Sequence, residues 1–209
     1  MSTEENKVHY DLTNVHFAPL TIVDGEVSFG TPVREYGAIS MDLSPKGDNV
    51  TVRADAIDYY NDVSNNGYDG SVNFVQVSDT FKMAHLGYRK TADGVLIEDA
   101  QAEHKPFAML YEFKGDKHHR RHVLYHGMAN RPNEKGENKD NQKSPDTEAL
   151  PVKFSPLPNG CVKASTRVDT PDELYKKWFE KVYQESAAVP EEAAVVPEEA
   201  AQTTQATQD

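Results

Sequence analysis

Hydrophobic positions between Pro106 and Pro156 fall in runs whose spacing leaves neither side polar. In Phe107 to Phe113, side chains of an extended chain alternate with period two, so Phe107, Met109, Tyr111 and Phe113 share one face while Ala108 and Leu110 make the other face apolar too. The run from Arg121 to Ala129 behaves alike, with Val123 and Tyr125 on one face and Leu124 and Met128 on the other. A long polar loop, Asn130 to Asp146, then leads to a third strand at TEALPVKFSP. A strand pair with no wet face sits either in the middle of a sandwich or under another copy of itself.

Strand signals dominate the first half of the chain as well. Ile39, Met41 and Leu43 alternate with Ser40 and Asp42, and Val50, Val52, Ala54 and Ala56 alternate with Thr51, Arg53 and Asp55, the pattern of half-buried antiparallel strands. The turn formers Pro45 to Asn49 between them predict that the two pair as a hairpin. Asp58 to Gly70, DYYNDVSNNGYDG, interleaves tyrosines with turn formers and leads into an apolar strand at Val72 to Val77. It predicts either a projecting loop with aromatic contacts or a surface loop whose tyrosines fold back on the body.

Two helices punctuate the strands. Ser78 is an N-cap, Asp79 complements the helix dipole, and Gly87 suits the left-handed turn that ends a helix; Phe81, Met83, Ala84 and Leu86 give this helix an apolar surface. The second is predicted to start at Thr170, with Pro171 in the first helical position and Glu173 placed for a capping box. Leu174, Trp178 and Val182 recur every four residues beside Tyr175, Phe179 and Tyr183, a stripe that must pack on the chain's own sheet or across a subunit boundary. The pattern as a whole predicts a mainly β (α+β) protein, an antiparallel β-sandwich or barrel-like body with a short flanking helix and a C-terminal helix.

Composition changes this picture at the C-terminus. VPEEAA at Val189 to Ala194 returns at Val196 to Ala201, and QTTQATQD follows; such a segment buries too little apolar surface to offset its ordering entropy. Residues 1–185 are therefore expected to form one domain and 186–209 a disordered acidic tail. The tail holds five of the 34 acidic residues and no base, which leaves 29 acids against 22 bases, a net of −7, on the rest of the chain. A body of that sign does not grip nucleic acid through its phosphates. The basic cluster of Lys114, Lys117, His118, His119, Arg120 and Arg121 contains Glu112 and Asp116 near it and falls at a hairpin turn, so it reads as a solvated tip or a partner contact. No apolar run approaches the ~20 residues that span a bilayer, and MSTEENKVHYDL lacks the pattern of a secretory signal, which predicts a soluble protein that starts in a cytoplasm. Cys161 is the only cysteine and is expected to be an inert core or strand residue.

Candidate chemistry is sparse. His118, His119, His122 and His126 suggest a metal, but His122 and His126 on one strand face would lie about 13 Å apart, too far for one ion. There is no Gly-rich phosphate loop, no zinc-spaced Cys pair and no Gly-x-Ser-x-Gly elbow, and the acids are scattered. No catalytic residue, cofactor or metal is predicted.

The segments ADAIDYYNDVSNNGYDGSVNFVQV, SDTFKMAHLGY, a short hairpin around TADGVLIE, FAMLYEFKGDKHHRRHVLYHGMANRP, EALPVKFSPLPNGCVKAST and DELYKKWFEKVY follow one another in an order that resembles the major tail protein, or tail-tube protein, of siphophages infecting Gram-positive bacteria. The resemblance runs from about Val8 to Tyr183 and lies in the joint order of the NNGYDG, FAMLYEF, RRHVLYHGMANRP and WF-containing blocks, none of them catalytic. It implies a non-enzymatic virion protein, made in the host cytoplasm, whose hexameric rings join their sheets into an inner barrel and stack into a tube through which DNA is ejected. The implied partners are further copies of itself, a tape-measure protein, and tail terminator and distal tail proteins, with DNA passing an acidic lumen unbound and no membrane contact. Tyr59, Tyr60, Tyr68, Phe107, Met109, Tyr111, Arg120 and Arg121 are the candidate inter-ring or intersubunit contacts, with the loops Asp58 to Gly70 and Asn130 to Asp146 reaching the next ring. The immunoglobulin-like decoration domain of some relatives is absent from this sequence. A monomeric β-barrel that binds a small molecule, and an enzyme without a familiar motif, are the alternatives from other classes.

Overall fold

A computed structural model describes residues 10–54, 56–115, 119–136 and 146–185. The expected disordered tail, most of the polar loop Asn130 to Asp146, and Asp116, Lys117 and His118 of the basic turn lie outside the described residues.

The chain is mainly antiparallel β, as its alternation predicts. Strands β1 (Leu12–Val23), β2 (Glu26–Phe29), β3 (Val33–Arg34), β4 (Ala38–Lys46), β5 (Asn49–Ala54), β6 (Ile57–Val63) and β7 (Gly67–Phe74) precede helix α1 (Asp79–His85). A small hairpin of β8 (Arg89–Lys90) and β9 (Leu96–Ile97) follows, then β10 (Phe107–Phe113), β11 (Arg121–Ala129), β12 (Glu148–Ser155), β13 (Lys163–Ser165) and helix α2 (Asp172–Lys176). The principal sheet runs β2-β1-β10-β11-β12-β7-β4, with β3 on β1 and β13 on β11. Although β1 and β4 stand far apart in that order, they approach each other in space, so the sheet curls toward a barrel.

Curling gives the sheet an inside and an outside, and both are apolar around β10. Phe107, Met109 and Tyr111 point into an inner core with Val15, Phe17, Val72, Phe74, Leu150 and Phe154, closed at one end by Phe81 and Leu86 around α1. Ala108 and Leu110 point outward into a second cluster with Ala18, Leu20, Val123 and Tyr125, under Trp178 and Val182 from the C-terminal segment. The strand pair with two apolar faces is therefore covered within a single copy of the chain. No neighbouring copy is required, which corrects the expectation that one face of Phe107–Phe113 is an assembly surface. Both edges of β10 are also taken, by β1 and β11.

The first helix forms as its signals predict. Ser78 Oγ accepts from Phe81 N at 3.1 Å, and Gly87 takes φ +73° just past the C-cap Leu86. The second departs from prediction: it is one short helix, N-capped by Pro171 without a side-chain bond, while Thr170 Oγ1 accepts from Arg167 N at 2.8 Å instead of capping. Tertiary contacts outweigh local propensity here. The Arg121 guanidinium donates to Tyr175 O, and Trp178 Nε1 donates to His122 O at 3.4 Å, so this segment is laid against the sheet in turns. The Trp178 stripe packs on the chain's own sheet all the same.

The predicted β4–β5 hairpin does not form. β4 pairs with β7, from Ala38↔Phe74 to Lys46↔Gly67, and β5 pairs with β6, from Asn49↔Val63 to Ala54↔Ile57. Ser64 N to Asp48 O at 3.0 Å and Asn66 N to Lys46 O at 2.8 Å join the two ladders, making one long hairpin whose outer half leaves the sheet. Turn formers at 45–49 mark the point where the ladder exits the body and not a reversal of the chain. At this exit Gly67 has φ +96°, and a Cβ there would stand 1.9 Å from Phe154 O, so a side chain is sterically excluded.

Candidate assembly surface

The outer half of the long hairpin is the most exposed apolar element among the described residues. Every residue of β6 is exposed, and Val50, Ile57, Tyr59, Tyr60 and Val63 present large apolar side chains to solvent. Tyr59 is 76% exposed and Val63 70%. Val50 and Ala56, expected to be half-buried, are exposed as well, because none of the described residues forms a layer beneath this ribbon. The ladder slips between Val52 and Arg53, leaving Tyr59 as the extra residue of a bulge. Local bonds hold the ribbon in shape: Thr51 Oγ1 donates to Asn61 Oδ1 at 3.1 Å and Arg53 pairs with Asp58 at 2.8 Å. A two-stranded ribbon without a packed face is marginal in water. Tyr59 and Tyr60, predicted on a loop, thus stand on a projecting strand.

The other predicted contact residues divide differently. Tyr68, in β7, is half-buried against the inner core, with Lys163 Nζ 5.8 Å from its ring centroid, and burial lowers the Lys163 pKa. Phe107, Met109 and Tyr111 are interior and unavailable to any partner, the phenol of Tyr111 being held protonated by burial. Arg120 is half-buried at the start of the β11 segment. Arg121 is committed within the chain: its Nε donates to Glu112 Oε2 at 3.2 Å and its guanidinium lies 3.9 Å from the Tyr175 ring and 4.8 Å from that of Phe179. It fastens the C-terminal segment to the sheet within the chain.

The histidines go to separate places. His122 stacks on Tyr111 with ring centroids 5.0 Å apart, whereas His126 Nδ1 lies 3.3 Å from Pro156 O. Among the described residues no three metal-ligating side chains gather. Cys161 is half-buried at the rim of the outer cluster, in the turn before β13. Among the described residues no helix is long and apolar enough to cross a membrane.

Further exposed apolar side chains escaped sequence reasoning. Val33, Tyr36, Ile39 and Val75 are exposed, Ile39 because the β4–β7 register slips between Ala38 and Ser40 and turns it outward. Alternation alone had placed Ile39 with Met41 and Leu43; the bulge reverses it. Between Val33 and Tyr36 in the chain, Glu35 is 7% exposed and engaged, its carboxylate accepting from Ser78 N at 2.8 Å and Ser78 Oγ at 2.7 Å. Nothing local in the sequence points to that carboxylate, whose partner lies 43 residues away.

No protein-family model matches this chain, and no curated protein matches it.

Proposed function

We propose that this protein is a structural, non-enzymatic subunit of a siphophage tail tube, assembling as stacked hexameric rings around a tape-measure protein and conducting DNA at infection. The observation that carries the proposal is the β5–β6 arm, a ribbon that exposes Tyr59, Tyr60, Ile57 and Val63, which none of the described residues covers. Apolar surface of this kind on a projecting element is what a self-assembling subunit offers its neighbour. The order of sequence blocks supplies the class of assembly. The acidic body suits a conduit, since like charge keeps phosphates from sticking to the wall.

Light scattering and negative-stain microscopy at rising protein concentration test this directly. Rings or tubes with sixfold symmetry are expected; a chain that stays monomeric at every concentration and salt, even when seeded with preformed tail-tip complexes, rejects the assignment. The rival ligand-binding barrel predicts that monomer.

A further inference from the structure

We infer that residues 46–48 and 64–67 form a rigid clasp that fixes the direction of the β5–β6 arm before the arm meets anything, with Asp48 and Ser64 as its positioning residues. What the clasp does for assembly rests on the proposed function; the clasp itself rests on the geometry of the junction alone.

None of the described residues packs beneath the arm, so its direction is decided where it leaves the body. Two strands cross there side by side, tied to each other by backbone and by side chains. Asp48 O accepts from Ser64 N at 3.0 Å, and Lys46 O accepts from Asn66 N at 2.8 Å. Ser64 Oγ accepts from Asp48 N at 2.8 Å, and Asn66 Nδ2 donates to Asp48 Oδ2 at 3.2 Å. Asn65 Oδ1 accepts from Gly67 N at 3.1 Å, which holds the entry into β7. Steric contact adds to these bonds. A Cβ at Gly47 would stand 2.0 Å from Ser64 O, so the two strands touch backbone to backbone, just as Gly67 touches β12. On the body side Lys46 Nζ pairs with Asp69 Oδ2 at 2.7 Å.

A hinge is a place where φ and ψ change while few contacts are lost. This crossing is the reverse, because turning the arm breaks several bonds that run in parallel between the same few residues. Ser64, Asn65 and Asn66 are turn formers by type, yet here their side chains are the fastening. An isolated ribbon is marginal in water, so the order of this one depends on its root. An arm set in advance engages a partner without a further ordering cost, which is how pre-organisation strengthens binding.

The test places nitroxide labels on the full chain at Thr21→Cys in the sheet and Asp62→Cys on the arm, both exposed positions, in a Cys161→Ser background. Pulsed dipolar spectroscopy then reads their separation in chains too dilute to scatter as polymers. The arm distance is expected to be as narrowly distributed as that of a control pair within the sheet, Thr21→Cys with Lys153→Cys; a broader distribution overturns the clasp. Asp48→Ala with Ser64→Ala is expected to broaden the arm distance alone, leaving the control pair narrow and the thermal midpoint within a few degrees. Asp48→Asn with Ser64→Thr keeps both acceptor oxygens and is expected to stay narrow. An arm that stays narrow in the Ala pair, or broadens equally in the conservative pair, overturns the assignment of these two residues. In assembly the Ala pair is expected to raise the concentration for half-maximal light scattering about tenfold, the factor carried by one or two such hydrogen bonds. An unchanged concentration overturns the positioning role. A parent chain that never polymerises while its arm distance stays narrow rejects the proposed function and supports the clasp.

Discussion

Arg121 lies between a buried carboxylate, Glu112, and the rings of Tyr175 and Phe179, and it ties the last described segment to the middle of the sheet. A lysine cannot reproduce this, because its point charge lacks the planar fork and the stacking face. Arg121→Lys is expected to lower unfolding stability by roughly 1–2 kcal/mol and Arg121→Ala by roughly 2–4 kcal/mol, since Glu112 then stays buried with its cation gone. Urea denaturation checks both, and an Ala variant as stable as the parent removes this role. His85 offers a pH signature. It is 3% exposed amid Phe17, Phe81 and Phe107, and burial pulls its pKa down from 6.5 to about 4. The folded state thus prefers the neutral ring, while the unfolded chain takes up a proton near 6.5. The stabilising contribution is complete above that value, is on the order of 3 kcal/mol, and is lost as pH falls from 6.5 toward 4. His85→Leu is expected to flatten the urea midpoint across that window; an unaltered slope refutes the assignment. Neither residue's role was legible from its neighbours in sequence, because both depend on partners far along the chain.

At the scale of elements, the strands whose local pattern agreed with their surroundings were legible. β10, β11, β12 and α1 fall where periodicity and capping place them, whereas β7 runs Gly67–Phe74 instead of the expected Val72–Val77 and takes in the end of the expected loop. Misassignments arose where pairing partners were not sequence neighbours. Pro45 to Asn49 looked like a hairpin turn, yet β4 takes β7 and β5 takes β6, because a ladder that continues past a body edge needs a break in the same residues that make a turn. The arm so created is exposed on its own, and its behaviour separates folding from assembly. Tyr59→Ser with Tyr60→Ser is expected to leave the thermal midpoint within a few degrees, as surface changes usually do, while abolishing polymer formation. A variant that assembles normally with its fold intact removes the arm from the contact. By contrast Phe107→Ala, in the strand first assigned to assembly, is expected to cost about 3–5 kcal/mol of fold stability, because Phe107 is fully buried among Phe17, Phe81 and Phe154. Calorimetry distinguishes the two outcomes.

For the whole molecule, charge opposes what the exposed apolar surfaces favour. Copies whose residues 1–185 carry a net charge of −7 repel one another, and salt screens that repulsion over about 8–10 Å at ordinary ionic strength. Assembly is therefore expected to strengthen as sodium chloride rises from about 0.05 M to 0.5 M, read as a lower concentration for half-maximal light scattering. Weakening over that range identifies a charge-driven contact instead. Sequence by itself determined the fold class, the apolar strands of the core, the first helix with both its ends and the acidic balance, because each is written in residues close together along the chain. Only tertiary structure decided that β10 is covered on both faces within one copy, that Arg121 is an internal fastening, and that a bulge turns Ile39 outward. Those outcomes follow from which strands meet across the curled sheet, a choice made by the summed packing of distant residues that no local pattern encodes.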